Sequence, residues 1–409
     1  MKRPFHSGAC LFGAALVTTL CTSGLAHAAN PSCAALGVPG TPVYLAGSSA
    51  VKPVLKQLSA TLATLPANPV RVIYQSVSSC TGLSDVATAK GETATGTWWD
   101  DTGTEQPCDV DAVAGQVPDI GLSDVYASTC DSVTVPANFK DFKGPVQVMT
   151  FVAPPSSKET AISAEAAFVV FGFGGVGTTV APWSDKTFLF QRPDTSGTRR
   201  MIGKAIGLEI GKWRGTEKKG SADVLSAVHN ADATAPNGGL GILAADFADT
   251  NRSGASAIKV LAFQPKGQTC SYFPDSSNTT FDKSNVRSGS YPIWGPLHLV
   301  AKADNGTTPN SAAAATVVSY FTRTGLDVAS KKKMIDNEVA AHTIPWCAMK
   351  VTREGEVGVG ATTAFAPDEP CGCYFELKAN GAAASSCKTC TDDTTCGAGK
   401  CRYGYCEAK

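Results

Sequence analysis

Buried strands alternate with amphipathic helices along the chain, and this alternation limits the fold more than any other feature. Short apolar, β-branched runs are predicted strands, at residues 42–46, 70–74, 146–152, 187–190, 258–263 and 297–301. Apolar residues at helical spacing predict helices, which include residues 51–65, 199–209, 312–324 and 331–341. Such alternation is typical of parallel α/β units, whose sites lie at the carboxyl ends of strands. The sequence therefore predicts an α/β fold.

Size and charge exclude some classes of protein. The chain has 409 residues, and at 43% apolar residues it has enough hydrophobic material for two or three packing units. Its 35 Lys and Arg balance its 35 Asp and Glu, so it lacks the basic field of a nucleic-acid binder. No nucleic-acid partner is expected.

Residues 1–28 resemble an export signal. Lys2 and Arg3 precede a short apolar stretch, and Ala26-His27-Ala28 gives the small-x-small pattern of a cleavage site. The stretch is too short to span a bilayer, and no later apolar run reaches the roughly 20 residues that a spanning helix needs. We expect cleavage after Ala28 and a periplasmic or secreted protein that is not inserted directly into a membrane.

Export predicts that most of the cysteines form disulfides, because thiols pair in an oxidising compartment. Thirteen cysteines follow the signal, and seven of them crowd the last 39 residues. We predict a separately cross-linked, disulfide-rich tail at residues 369–409. Cys387-x-x-Cys390 also fits a zinc site, but the tail contains no His, and zinc needs reduced thiolates. The odd total leaves one free thiol or one bond to a partner chain.

Small hydroxyl residues stand where three predicted strands pass into helices. Gly47-Ser48-Ser49-Ala50 follows the first strand, Ser78-Ser79 follows the second, and Asp194-Thr195-Ser196-Gly197-Thr198 follows the fourth. Each alone is explained by helix capping. Together, three helix N-termini with unpaired N–H groups would form a cradle for an anion.

Two charged residues sharpen this prediction. Arg192 precedes the third hydroxyl loop, and Asp124 ends the segment Pro118-Asp119-Ile120-Gly121-Leu122-Ser123-Asp124. An acid in an anion site is favourable if the ligand carries a proton, because a carboxylate accepts a hydrogen bond from P–OH and repels a bare oxyanion. The combination favours hydrogen phosphate over sulfate, although Asp124 could instead be a helix cap or a surface acid.

Four motifs together resemble those of the phosphate-binding receptor of the high-affinity phosphate ABC transporter, a type 2 periplasmic binding protein. They are Gly47-Ser48-Ser49 with Pro53-Val54, the segment Tyr74 to Ser79, the segment Asp119 to Asp124, and Arg192-Pro193-Asp194-Thr195-Ser196-Gly197-Thr198. The last matches the Arg-x-Asp-x-Ser-Gly-Thr signature and is the most specific. Tyr291-Pro292-Ile293 resembles the return crossover, and the resemblance covers roughly residues 41 to 350.

The resemblance implies the residues that bind phosphate. They are hydroxyl, backbone and charged groups of Ser49, Ala50, Ser79, Asp124, Arg192, Ser196, Gly197 and Thr198. Asp124 would accept the ligand proton, and Asp194 would hold Arg192 through an ion pair. No catalytic residue, cofactor or metal is implied.

The resemblance also implies an architecture and a role. The fold would be bilobal, with two hinge crossovers, one lobe at 41–147 with 292–368 and the other at 148–291. The protein would bind phosphate between the lobes, with arsenate as a possible competitor, and deliver it to the permease of an ABC transporter.

Some residues depart from the family pattern. Ala50 replaces a bulky aromatic, and Cys80-Thr81 replaces two small positions beside Ser79. Residues 91–108, with Trp98 and Trp99, are predicted to be a long surface insertion.

Two alternative functions remain open. The scaffold could serve as a secreted or cell-surface interaction module, with the tail and Trp98-Trp99 as contact surface. Ser49-Ala50-Val51-Lys52 fits the S-x-x-K pattern of a serine acyltransferase, but the K-T-G and S-D-N companions are missing. The G-x-G-x-x-G match at residues 172–177 is not followed by helix-forming sequence, so we interpret it as a glycine-rich turn rather than a dinucleotide site.

Overall fold

The computed structural model describes residues 30–131, 133–175 and 180–407. The predicted export signal lies outside these residues. Within them, no helix has both the length and the apolar character needed to cross a membrane.

The strands of the described residues, in chain order, are β1 (Thr41–Gly47), β2 (Val70–Ser76), β3 (Gly96–Trp99), β4 (Glu105–Cys108), β5 (Ile120–Ser123), β6 (Phe139–Ala153), β7 (Ala161–Ser163), β8 (Leu189–Gln191), β9 (Thr216–Glu217), β10 (Leu240–Ala244), β11 (Lys259–Val260), β12 (Ala262–Gln264), β13 (Trp294–Lys302), β14 (Val351–Arg353), β15 (Thr362–Ala364), β16 (Lys400–Arg402) and β17 (Tyr405–Glu407).

The α-helices of the described residues are α1 (Lys52–Ala63), α2 (Ser79–Thr88), α3 (Ala164–Phe173), α4 (Gly197–Ile206), α5 (Ser221–Ala231), α6 (Ala245–Asp249), α7 (Ser284–Arg287), α8 (Ala312–Thr322), α9 (Val328–Ala340) and α10 (Gly372–Asn380).

In the described part of the chain, eleven strands form one sheet. Its order is β4-β3-β2-β1-β5-β13-β6-β10-β8-β9, and β11 also pairs with β6. Strand β1 is parallel to β2 and β5, and β8 is parallel to β10 and β9. Between these two groups, β13 and β6 run antiparallel and belong to both. We call β1 to β5 the first sheet half and β8 to β11 the second; β6 and β13 are the crossover strands. The predicted α/β class is confirmed.

Helices cover both sheet halves because each has an apolar face. In α1, Val54, Leu55, Leu58 and Leu62 recur at three or four residues and are all fully buried. Burial of such side chains stabilises the fold by about 1.5 to 3 kcal/mol each. Helices α1, α2, α8 and α9 contact the first sheet half or one another, and α4, α5 and α6 contact strands around the second.

Most predicted strands and helices are found, with two differences. The run 258–263 is divided, because β11 pairs with β6 whereas β12 leaves the main sheet and pairs with β7. The predicted surface insertion at 91–108 is wrong in one respect. It forms the hairpin β3–β4, which extends the sheet edge and buries Trp98 and Trp99 to 8% and 2% exposure. These two indoles therefore do not form an exposed contact surface.

The predicted disulfide-rich tail is confirmed, and it is also attached to the body. Six disulfides form in the described chain: Cys33–Cys108, Cys80–Cys130, Cys347–Cys371, Cys373–Cys387, Cys390–Cys401 and Cys396–Cys406. The third bond joins the tail to the segment after α9. Tyr374 and Phe375 of α10 are buried, and Glu407 accepts a hydrogen bond from the Cys373 N–H at 2.8 Å. Among the described residues, Cys270 is a free, exposed thiol.

Candidate functional site

The hydroxyl loops of the two sheet halves meet at one point. Ser48 and Ser49 follow β1, Ser79 begins α2, and Asp124 follows β5, because the carboxyl ends of these parallel strands share one edge. Gly197 begins α4 after β8 in the second half and faces them. Its N–H donates to the Ser79 Oγ at 3.2 Å, so the two halves are in direct contact.

Only glycine fits at position 197. A Cβ there would lie 2.4 Å from the Ser79 Oγ and 2.8 Å from the Asp124 Oδ2. Gly47 has a similar restriction, since its φ is +152° and a Cβ would lie 1.9 Å from the Leu122 carbonyl oxygen. These two glycines let α4 and β1 approach the Asp124 loop closely.

Ser78 holds an unusual backbone conformation beside this contact. Its φ and ψ are 155° and 165°, a region that is essentially restricted to glycine. Its hydroxyl donates to the Thr81 Oγ1 at 2.8 Å and does not cap α2. The N-terminus of α2 therefore has no side-chain cap from Ser78.

Asp124 is completely buried at the centre of the contact. Its Oδ2 accepts hydrogen bonds from the Ser48 Oγ at 2.6 Å and the Ser79 Oγ at 3.3 Å. Its Oδ1 has no hydrogen-bond partner in the described residues. Loss of hydration raises the pKa of Asp124 to about 6, against the opposing effects of the Ser48 hydrogen bond and the Arg192 charge. The carboxylate thus has a free acceptor and is ionised at neutral pH.

Arg192 is the cation of the site and is only 3% exposed. Its guanidinium donates to the Ser221 Oγ at 3.0 Å, the Ser49 Oγ at 3.1 Å and the Lys219 carbonyl at 3.1 Å. In the described part of the chain, no carboxylate forms an ion pair with it, and its buried Nε has no partner. Burial lowers its pKa, and the charges of Asp124 and Asp223 oppose that effect. A buried, unpaired guanidinium is costly unless an anion joins it.

The structure thus brings together five of the predicted residues: Ser49, Ser79, Asp124, Arg192 and Gly197. The other three are close by in sequence and also buried. The Ala50 N–H donates to the Ser48 Oγ at 3.2 Å, Ser196 makes no side-chain capping bond, and Thr198 is 1% exposed.

The predicted ion pair between Asp194 and Arg192 is wrong. Asp194 is exposed, and its backbone carbonyl accepts a hydrogen bond from the Arg200 Nε at 2.6 Å. Arg192 instead donates to Ser49 across the contact and to Ser221 in its own sheet half. The reason is that α5 brings Ser221 within reach from the same sheet half.

Sequence reasoning missed three groups of the site. Ser48 holds Asp124 while its neighbour Ser49 contacts Arg192, and two adjacent serines give no sign of which side each faces. Ser221 begins α5, so the signal used for the other loops, a small hydroxyl at a helix start, was present. The Tyr74 hydroxyl donates to the Ser48 carbonyl, and burial together with Asp124 raises the pKa of Tyr74 well above its usual value.

No metal centre is indicated by these residues. The group of Cys390, Cys396 and Cys401 has ligand-like spacing within the described chain, but all three are in disulfides and offer no thiolate.

Comparison with known proteins finds distant structural likenesses. No family model matches the chain. No curated protein matches it. Among solved structures, a phosphate ABC transporter substrate-binding protein with bound phosphate from Clostridium perfringens is 14% identical, with a TM-score of 0.48, over 74% of this chain and 99% of the other.

Two further solved structures are similar at lower TM-scores. A phosphate transport receptor from Vibrio cholerae is 14% identical, with a TM-score of 0.43, over 74% of this chain and 99% of the other. The OxyR regulatory domain from Pseudomonas aeruginosa is 10% identical, with a TM-score of 0.38, over 69% and 98%. Likenesses at this level do not identify the ligand of this chain.

Proposed function

We propose that this protein is an exported solute-binding protein that binds hydrogen phosphate between the two sheet halves and delivers it to a membrane transporter. The observation that supports this most is a pair of buried groups in one contact. Within the described residues, Arg192 has no carboxylate partner and Asp124 has an acceptor oxygen without a hydrogen bond. The arginine would supply the charge for an anion. The aspartate would require that anion to bring a proton.

The hydrogen bonds now made across the contact are of the kind that a ligand would replace. The Gly197 N–H already donates to the Ser79 Oγ, and the Arg192 guanidinium already donates to the Ser49 Oγ. An anion would accept hydrogen bonds from these donors once the halves close around it. Several charge-assisted hydrogen bonds of about 1.5 to 3 kcal/mol each would then offset the association cost and reach micromolar affinity, about −8 kcal/mol.

The crossover strands provide a hinge for that closure. Strands β6 and β13 pair over residues of both halves, with a register shift between Pro296 and His298. We propose that the halves act as the lobes 41–147 with 292–368 and 148–291, and that they close by bending at the crossovers. Arsenate, which has the same shape and carries the same proton, is expected to compete.

The proposal separates this protein from the serine acyltransferases. An S-x-x-K enzyme needs its lysine beside the serine, but the Lys52 Nζ forms an ion pair with the Glu105 Oε1 at 2.7 Å. The Ser49 hydroxyl contacts Arg192 and Ser221 instead. A serine-reactive probe should leave Ser49 unlabelled.

Isothermal titration of the purified mature chain, dialysed free of phosphate, tests the proposal. We expect phosphate to bind and sulfate to bind much more weakly at pH 8, where Asp124 is ionised. Equal affinity for the two anions would remove the role of Asp124. No binding of either anion would remove the proposed function.

A further inference from the structure

Outside the anion-binding residues, the two sheet halves also meet around a disulfide. Cys80 in α2 is bonded to Cys130 in the loop after β5, with a Cα–Cα distance of 5.5 Å. The Cys80 N–H donates to the Thr195 carbonyl of the second half at 3.1 Å. The residues on either side of Cys130 contact the second half as well.

Arg200 of α4 makes those second contacts. Its Nη1 donates to the Thr129 carbonyl and lies 3.0 Å from the Asp131 Oδ2. The arginine side chain is only 10% exposed, whereas Asp131 is 76% exposed. Water screens the ion pair at such exposure, so the contact with the shielded Thr129 carbonyl is the stronger of the two.

The disulfide gives these contacts a common support. It joins the start of α2 to the loop after β5, and each of these segments carries one contact to the second half, Cys80 to Thr195 and Thr129 to Arg200. Glu356 supports the loop after β5, since its Oε2 is 3.4 Å from both the Tyr126 N and the Thr129 Oγ1. A cross-link between the two segments keeps them at a fixed spacing, so the start of α4 and the residue Thr195 before it can meet both together.

We infer that Arg200 is a positioning residue for anion binding, and that it acts with Thr195, Thr129, Asp131 and the Cys80–Cys130 bond as a disulfide-anchored latch that favours the closed arrangement. The inference rests on the proposed function. None of the latch contacts uses the Arg192 guanidinium or the Asp124 carboxylate. The latch therefore changes affinity through the closed population alone, because a ligand that needs a closed protein binds more weakly as that population falls.

Arg200→Ala is the principal test. We expect phosphate affinity to weaken about tenfold, with the loss in a faster dissociation rate and an unchanged association rate. A purely structural role would lower the melting temperature without this division between the rates. An unchanged dissociation rate, or a loss confined to association, would overturn the inference.

The disulfide provides an independent second variant. Replacing Cys80 and Cys130 together with Ala should accelerate dissociation, and adding Arg200→Ala should cause little further change because both act on the same contact. The matched control replaces Cys33 and Cys108, whose bond supports the hairpin edge of the sheet. That control should leave the dissociation rate unchanged. Full additivity, or an equal effect of the control, would contradict a shared latch.

A ligand-free measurement separates this inference from the proposed function. Spin labels on exposed positions of the two sheet halves report their distance in phosphate-free buffer. The wild-type protein should populate the short distance more than Arg200→Ala does, whether or not phosphate binds. Identical distance distributions would overturn the latch, whereas a wild-type protein that closes but binds no phosphate would overturn the proposed function only.

Discussion

Replacing Asp124 with Asn should stabilise the ligand-free protein at neutral pH, although it damages the site. Burial raises the pKa of Asp124 from 3.8 to about 6. A carboxyl group with a raised pKa makes the folded state less favourable once it is ionised. At about 1.36 kcal/mol per pH unit, the ionised carboxylate costs the fold about 3 kcal/mol. Asn has the shape of the protonated acid and avoids this cost.

The pH dependence gives the sign of the effect. Below about pH 4, Asp124 is protonated in both folded and unfolded chains, so its pKa shift contributes nothing. Between about pH 4 and 6 the unfolded chain loses its proton first, and the free energy of unfolding of the wild-type protein declines relative to that of Asp124→Asn. Above about pH 6 the difference is constant, at most about 3 kcal/mol in favour of the variant.

Urea unfolding of both proteins in phosphate-free buffer from pH 4 to 8 measures this difference. Residual phosphate must be removed, because a ligand that binds the folded state would stabilise the wild-type protein. Asp185→Asn is a useful control. Hydrogen bonds from Thr187 lower the pKa of this exposed carboxylate, so its stabilising contribution is already complete above about pH 4. Its removal should therefore destabilise the protein by an amount that stays constant from about pH 5 to 8. A gap between wild type and Asp124→Asn that does not change with pH, or a more stable wild type at pH 7.5, would refute the reasoning.

Three further predictions concern the site and the core. Gly197→Ala should abolish phosphate binding in titration calorimetry while the far-ultraviolet circular dichroism spectrum is unchanged, because the alanine Cβ would lie 2.4 Å from the Ser79 Oγ. Undiminished affinity would show that binding does not need the close approach of α4 to Ser79. The preference for phosphate over sulfate should shrink below pH 6, where protonated Asp124 becomes a donor, and a preference that is constant down to pH 5 would count against that role. Arg323→Ala should destabilise the protein by about 3 to 5 kcal/mol at pH 8 and by less at pH 5, measured by urea unfolding. The reason is that burial raises the pKa of its partner Glu338 to about 7, so the unpaired carboxyl group is charged only at the higher pH. An equal loss of stability at both pH values would contradict a titrating Glu338.

Much of the framework could be predicted because it depends on local patterns. Apolar runs and helical spacing identified β1, β2, β13 and α8, since the spacing of apolar residues along the chain follows the repeat of the strand or helix that buries them. The loops also followed from the sequence, because parallel strands bring their carboxyl ends to one edge. The sequence alone therefore predicted that Ser49, Ser79 and Asp124 lie close together.

The partners of those residues could not be predicted in the same way. Arg192 contacts Ser221, 29 residues away, and not the nearby Asp194, because α5 folds back against the same sheet half. Ser48 contacts Asp124 whereas Ser49 contacts Arg192, and two adjacent serines carry no local pattern that tells these partners apart.

The disulfide pairings between distant cysteines could not be predicted from the sequence either. The cysteines predicted that bonds would form, but the pairing of Cys80 with Cys130 depends on which two loops lie side by side after folding. Burial of Trp98 and attachment of α10 to the body are likewise decided by contacts between segments far apart in the chain. The sequence by itself thus determined the elements and the chemistry at the strand ends. The tertiary structure alone decided which groups pair, because pairing depends on long-range packing that no local pattern encodes.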